Sequence, residues 1–107
     1  MRDFSVGLCA ERDVAHVRLA GELDLAATHL FGPVVGEVLC LGVPRVRVDL
    51  DRLWFCDVAG VRQLAEAHDR WHDHGLSVGL HGARSAVRQV FALTGHGHLL
   101  AAGSSEP

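Results

Sequence analysis

The chain has 107 residues, with 49% apolar residues, 21% charged residues and a formal net charge of −3. That length and apolar fraction suit one domain around one core. The charge gives no general attraction to nucleic acid or anionic lipid, and no apolar run approaches the ~20 residues of a membrane span.

Phe4 to Ala10 and Val14 to Ala20 read as two strands joined by the polar turn Glu11-Arg12-Asp13. Gly21-Glu22-Leu23-Asp24 is a turn leading into a helix over about 26–41. There Leu30, Phe31, Val34, Val35, Val38, Leu39 and Leu41 recur at helical spacing. Pro33 is a place for that helix to begin or bend, and Gly42 and Pro44 stop it. Arg45 to Leu50 is a third strand, in which Val46, Val48 and Leu50 alternate with polar residues. A short apolar connection follows, Leu53-Trp54-Phe55-Cys56. A second helix runs over about 58–74, with an inward stripe of Val61, Leu64, Ala65, His68 and Trp71 and a stop at Gly75. Leu76 to Leu80 is a fourth strand. Ser85 caps a last helix carrying Val87, Val90, Phe91 and Leu93, ended by Gly95.

The order β-β-α-β-α-β-α predicts an α/β fold. The first two strands are too close for a crossover and form a hairpin, and the later ones need parallel crossovers. The expectation is a single mixed sheet of about four strands with helices mostly on one face. Residues 1–101 form the domain, and 102–107 are a small polar tail that frays.

MRDFSVGL lacks a signal-peptide pattern. Cys9, Cys40 and Cys56 are widely spaced, lie in apolar contexts and form no CxxC. They predict buried free thiols and a reduced, cytoplasmic setting. All the basic residues are arginine, which reads as a genomic composition bias.

The stretch from Arg45 to Val61, RVRVDLDRLWFCDVAGV, resembles the signature of the STAS domain, the fold of bacterial anti-sigma factor antagonists. There a strand leads through a phrase like "DLSxxxFxDSSGL" into a helix. VRLAGELDLAAT, from Val17 to Thr28, and HGARSAVRQVFALTG, from His81 to Gly95, are similar to two further segments of that family. Together the three cover nearly the whole chain in the family's order. The resemblance implies a STAS fold and a non-catalytic partner-switching role. Its partner would be an anti-sigma factor that is a serine-protein kinase of the GHKL type. In the family that kinase phosphorylates a Ser immediately before the Gly. Ala59 stands there, with Val58 at the neighbouring Ser position, so this loop has no phosphosite.

Asp57, Val58, Ala59 and Gly60 have two readings. In one they are a surviving docking loop; in the other Asp57 is only a helix N-cap and the loop only a turn. Glu22 and Asp24 are either partner contacts beside that loop, as the family implies, or solvated turn residues. Two carboxylates also suggest acid–base work, but nothing beside them supplies a nucleophile. Arg62, in the first turn of the second helix, can reach a partner carboxylate or phosphate, or is simply an exposed helix arginine. His68 and His72 stand four apart, a metal-binding spacing, yet a zinc site needs three or four converging ligands. No cofactor motif is present: there is no GxxxxGK[ST], and no GxGxxG follows a strand.

The sequence therefore points to an anti-sigma factor antagonist-like interaction domain with no metal and no cofactor. The alternative is a STAS-type subunit or ligand-binding module of a transport or other signalling complex.

Overall fold

The computed structural model describes residues 3–100, so the tail expected over 102–107 lies outside them. The elements are β1 (Ser5–Glu11), β2 (Val14–Leu23), α1 (Thr28–Cys40), β3 (Arg45–Cys56), α2 (Val58–Asp73), β4 (Ser77–His81) and α3 (Ser85–Leu93). They form one four-stranded sheet in the order β1-β2-β3-β4. β1 and β2 are an antiparallel hairpin, with Arg12 in the left-handed region at the turn (φ 56°). β2–β3 and β3–β4 are parallel. The mixed α/β sheet matches the expectation.

β2 buries every second residue, Ala15, Val17, Leu19, Gly21 and Leu23, on the face that carries the helices. Val46, Val48, Leu50, Leu53 and Cys56 of β3 lie on the same side. Phe31, Val35 and Val38 of α1, Leu64 and Trp71 of α2, and Val87 and Phe91 of α3 close the core from above. The opposite face is polar, with Arg18, Arg47 and Arg52 exposed to solvent.

β3 departs most from the sequence reading. The supposed connection Leu53-Trp54-Phe55-Cys56 is strand. Its buried positions 46, 48, 50, 53 and 56 step by two, two, three and three. Each longer step is a bulge: the register against β2 shifts between Arg18 and Ala20 and again between Gly21 and Glu22. A bulge adds one residue to one strand and resets which side chains face inward. Strict alternation therefore fails here, although the strand continues.

Other differences are smaller. α1 begins at Thr28, ahead of Pro33, after a 3₁₀ turn at Leu25–Ala27. Pro33 sits on the exposed side of the helix, where it removes one ladder hydrogen bond without ending the helix. In α2 the buried set is Gly60, Val61, Leu64, Ala67 and Trp71. Ala67 replaces Ala65 because the helix turns toward α1, where Ala67 shares a small groove with Phe31 and Val35. His68 stays half-buried at the flank and stacks on His72 at 6.1 Å between ring centroids. Gly75 (φ 87°) ends α2, and the Leu76 N–H bonds back to the Trp71 carbonyl at 3.0 Å. Ser85 is the first residue of α3, not its cap. Extended Arg84 precedes it, and no side chain caps this helix. Cys56 is buried, but Cys9 and Cys40 are exposed, correcting the expectation of three buried thiols.

Trp71 is 1% exposed, and its Nε1–H donates to the Val35 carbonyl at 3.0 Å, so the indole joins α2 to α1. Trp71→Ala is expected to cost about 3–5 kcal/mol, a large part of a small domain's stability. Urea unfolding measures this. A loss below about 1 kcal/mol with the fold intact would contradict the core assignment.

Candidate functional site

Three segments meet at the C-terminal end of the central strands: the end of β2 at Leu23, the end of β3 at Cys56, and the start of α2 at Val58. The Asp57 N–H donates to the Leu23 carbonyl at 3.3 Å. Gly60 lies against that carbonyl too. A Cβ at position 60 would collide with Leu23 O and come within 2.7 Å of Cys56 Sγ. Glycine is needed because helix and strand backbones approach this closely.

The Asp57 carboxylate accepts from the Gly60 N–H at 2.8 Å, the N-cap geometry expected from the sequence. Asp24 plays the same part in the turn after β2, where its Oδ1 accepts from the Ala27 N–H at 3.2 Å. Gln63, which the sequence reading passed over, joins the two segments: its Nε2–H donates to the Asp24 carbonyl at 2.9 Å. Its only sequence signal was a polar residue one turn beyond the motif, directly before buried Leu64.

The structure thus brings Glu22, Asp24, Asp57, Val58, Ala59 and Gly60 to one end of the sheet. Their exposure differs. Gly60 is buried, Asp57, Ala59, Glu22 and Asp24 are half-buried, and Val58 is 54% exposed. Arg62 is exposed one turn beyond Val58, on the same helix face. Phe55, 45% exposed, stands opposite Glu22 across the β2–β3 pair, and Leu25 is 73% exposed just after Asp24. Neither is among the seven candidate residues of the sequence motifs. Their signal was apolar side chains inside the two motif segments at positions the core does not need. The end of the sheet carries three exposed apolar side chains among three carboxylates, with one guanidinium beside them.

Beneath this surface the Cys56 thiol is pushed up to about 12, first by burial and then by the Asp57 carboxylate. It is protonated at neutral pH and is no nucleophile. Among the described residues no group of three or more His, Cys, Asp or Glu side chains converges on a metal-sized site, so His68 and His72 lack further ligands. Among them, too, no helix is long and apolar enough to cross a membrane.

The structure is an α/β domain in which a strand-to-helix junction is shown to solvent. The family model described as "Mlab, STAS domain" matches residues 6–101. The chain belongs to the STAS domain family. A comparison with curated proteins gives no match. Among solved structures, an anti-sigma factor antagonist from Mycobacterium paratuberculosis is 20% identical with a TM-score of 0.80, over 92% of this chain and 83% of that one. The unphosphorylated anti-sigma factor antagonist SpoIIAA, of Bacillus, is 23% identical with a TM-score of 0.74, over 92% and 86%. An antisigma-factor antagonist STAS domain from Rhodobacter sphaeroides is 23% identical with a TM-score of 0.65, over 78% and 95%. At these identities the likeness is one of fold.

Two glycines separate propensity from packing. A Cβ added at Gly36 in α1 would meet only Arg70 Nη2, 4.0 Å away, so Gly36→Ala should stabilise by about 0.5–1 kcal/mol through helix propensity. Gly60→Ala gains the same propensity term but meets fixed backbone. The overpacking cost of about 1–3 kcal/mol should win. Thermal melts of both variants check the pair, and a Gly60→Ala protein as stable as wild type would contradict the close approach.

The thiols give a second check. In the native protein at pH 8, Cys9 and Cys40 should react with a thiol reagent, while Cys56 reacts only on unfolding. Mapping the label by mass spectrometry tests this, and fast native labelling of Cys56 would contradict its burial.

Proposed function

We propose that this domain is a non-catalytic, cytoplasmic, anti-sigma factor antagonist-like module. It docks on an anti-sigma factor that is a serine-protein kinase of the GHKL type. Glu22, Asp24, Asp57, Val58, Ala59, Gly60 and Arg62 form the contact, together with Leu25 and Phe55. The observation that carries this reading is the junction itself. It holds exposed apolar side chains around a half-buried Ala59 in a family where this loop faces the kinase. Glu22, Asp24 and Asp57 select a partner surface with basic groups, and Leu25, Phe55 and Val58 supply the apolar centre that binding energy needs.

The same residues set the regulation. Neither Val58 nor Ala59 carries a hydroxyl, so the loop has no serine-type oxygen to receive a phosphoryl group from such a kinase. The domain remains in the unphosphorylated form, and the contact is constitutive. The missing hydroxyl also favours a second reading, a STAS-type subunit of a transport or other signalling complex with a permanent contact at this surface.

Ala59→Asp places a negative charge where the family places phosphate. It should weaken binding to a purified GHKL-type anti-sigma kinase from the same host by roughly 1–2 kcal/mol, about tenfold. Ala59→Ser should bind like wild type until ATP is added. Both variants should fold, because acidic groups are favourable at a helix N-terminus. Titration calorimetry, with circular dichroism as the folding control, gives the answer. Equal affinity for all three proteins would move recognition to another face, and no binding by wild type would favour the second reading.

A further inference from the structure

The helix-free face of the sheet holds a basin of about 550 Å³, away from the junction described above. It is lined by Arg18 of β2, Arg47, Asp49, Asp51 and Arg52 of β3, and His81 of β4. Three of the chain's ten basic residues thus gather on one concave surface of a protein whose net charge is −3. The first bulge of β3 makes the arrangement. Arg18 pairs with Asp49 and Ala20 with Arg52, so the strand advances three residues on β3 for two on β2. Arg18 and Arg52 therefore occupy diagonal positions on neighbouring strands, within reach of each other for side chains this long. Ala20, the third corner, leaves the floor low.

The charges are not equivalent. Arg47 is committed: its Nε–H donates to Asp49 Oδ1 at 2.8 Å, so that carboxylate is neutralised within its own strand. Among the described residues, Arg18 and Arg52 make no ion pair. The basin keeps two uncommitted guanidiniums against the single unpaired carboxylate of Asp51. His81 at the basin's edge has its pKa lowered, first by burial and then by the Arg47 guanidinium, while Asp49 opposes them more weakly.

We propose that Arg18 and Arg52 form a binding site for a phosphate group on the open face of the sheet. Guanidinium forks match the oxygens of a phosphate, and two of them on rigid strands can share one dianion. The phosphate can come from a soluble phosphate monoester or from a phospholipid headgroup. With a net negative protein, either source would be held by this local pair and not by a general field.

The test is an amide NMR titration of the whole chain with inorganic phosphate, against sodium chloride at matched ionic strength. A second arm measures co-sedimentation with phosphatidylcholine vesicles with and without phosphatidic acid. The proposal expects saturable phosphate-specific shifts at Arg18, Ala20 and Arg52. It expects these to weaken at least about tenfold in Arg18→Gln/Arg52→Gln and to persist in Arg88→Gln, on α3. Vesicle binding that needs phosphatidic acid and is lost in the double variant assigns the headgroup source. Phosphate shifts without vesicle binding assign the soluble source. Both arginines are exposed, and Arg18→Gln alone serves if the double variant does not fold. The absence of both signals, or unchanged affinity in the folded variant, would overturn the site.

Discussion

β3 lies between β2 and β4 and must keep Val46, Val48, Leu50, Leu53 and Cys56 under the helices while it climbs along β2. β2 has a uniform two-residue rhythm, so β3 can hold its apolar residues in register only by inserting a residue twice. Those insertions decide what reaches solvent. The first carries Asp51 and Arg52 to the open face. The second turns out Trp54, which lies under the Arg84 guanidinium at 3.5 Å, and Phe55 beside Glu22. Arg84 also donates to the Asp51 carbonyl at 2.8 Å, bracing the bulged segment from the loop before α3. One accommodation in the central strand thus builds both the basin and the apolar rim of the junction.

At the junction, the groups that hold the structure and those shown to solvent belong to different positions of one short segment. Backbone and short side chains hold the structure: the Asp57 N–H and the bare Gly60 on the Leu23 carbonyl, and the Asp57 carboxylate on the Gly60 N–H. The outward side chains of Val58 and Arg62 carry no part of the core. The surface can therefore change chemically while the backbone beneath it stays clamped. That is how a hydroxyl-free loop can sit on an intact STAS scaffold.

Much of the fold was legible because hydrophobic periodicity, turn chemistry and element order agreed. The hairpin, the parallel crossovers, the Asp57 cap and buried Trp71 followed from local rules. What escaped depended on partners far along the chain. The continuation of β3 was hidden because bulges replace steps of two by steps of three, and a period-two rule ends the strand at Leu50. Cys9 and Cys40 have apolar neighbours in sequence. Cys9, however, is on the uncovered side of an edge strand, and Cys40 falls off the α1 stripe of Phe31, Val34, Val35 and Val38. Gln63 escaped because its duty is to a carbonyl 39 residues away. The seven candidate site residues each lie in or beside a motif visible in the sequence, but Leu25 and Phe55 emerged only when folding brought their exposed side chains to the same end.

The clamp at Leu23, Asp57 and Gly60 also bears on time. β1 and β2 can pair as a local hairpin, whereas Val14 meets Arg45 only after the intervening α1 segment has been looped out. Non-local parallel pairing of this kind is slow, because loop-closure entropy is lost before the contacts return it. The junction needs the far ends of both β2 and β3 and the first turn of α2 in place together. A chain that has formed only its hairpin has not assembled this junction. The junction is therefore a late feature of the β2–β3–α2 unit, absent from a chain that holds only its local hairpin.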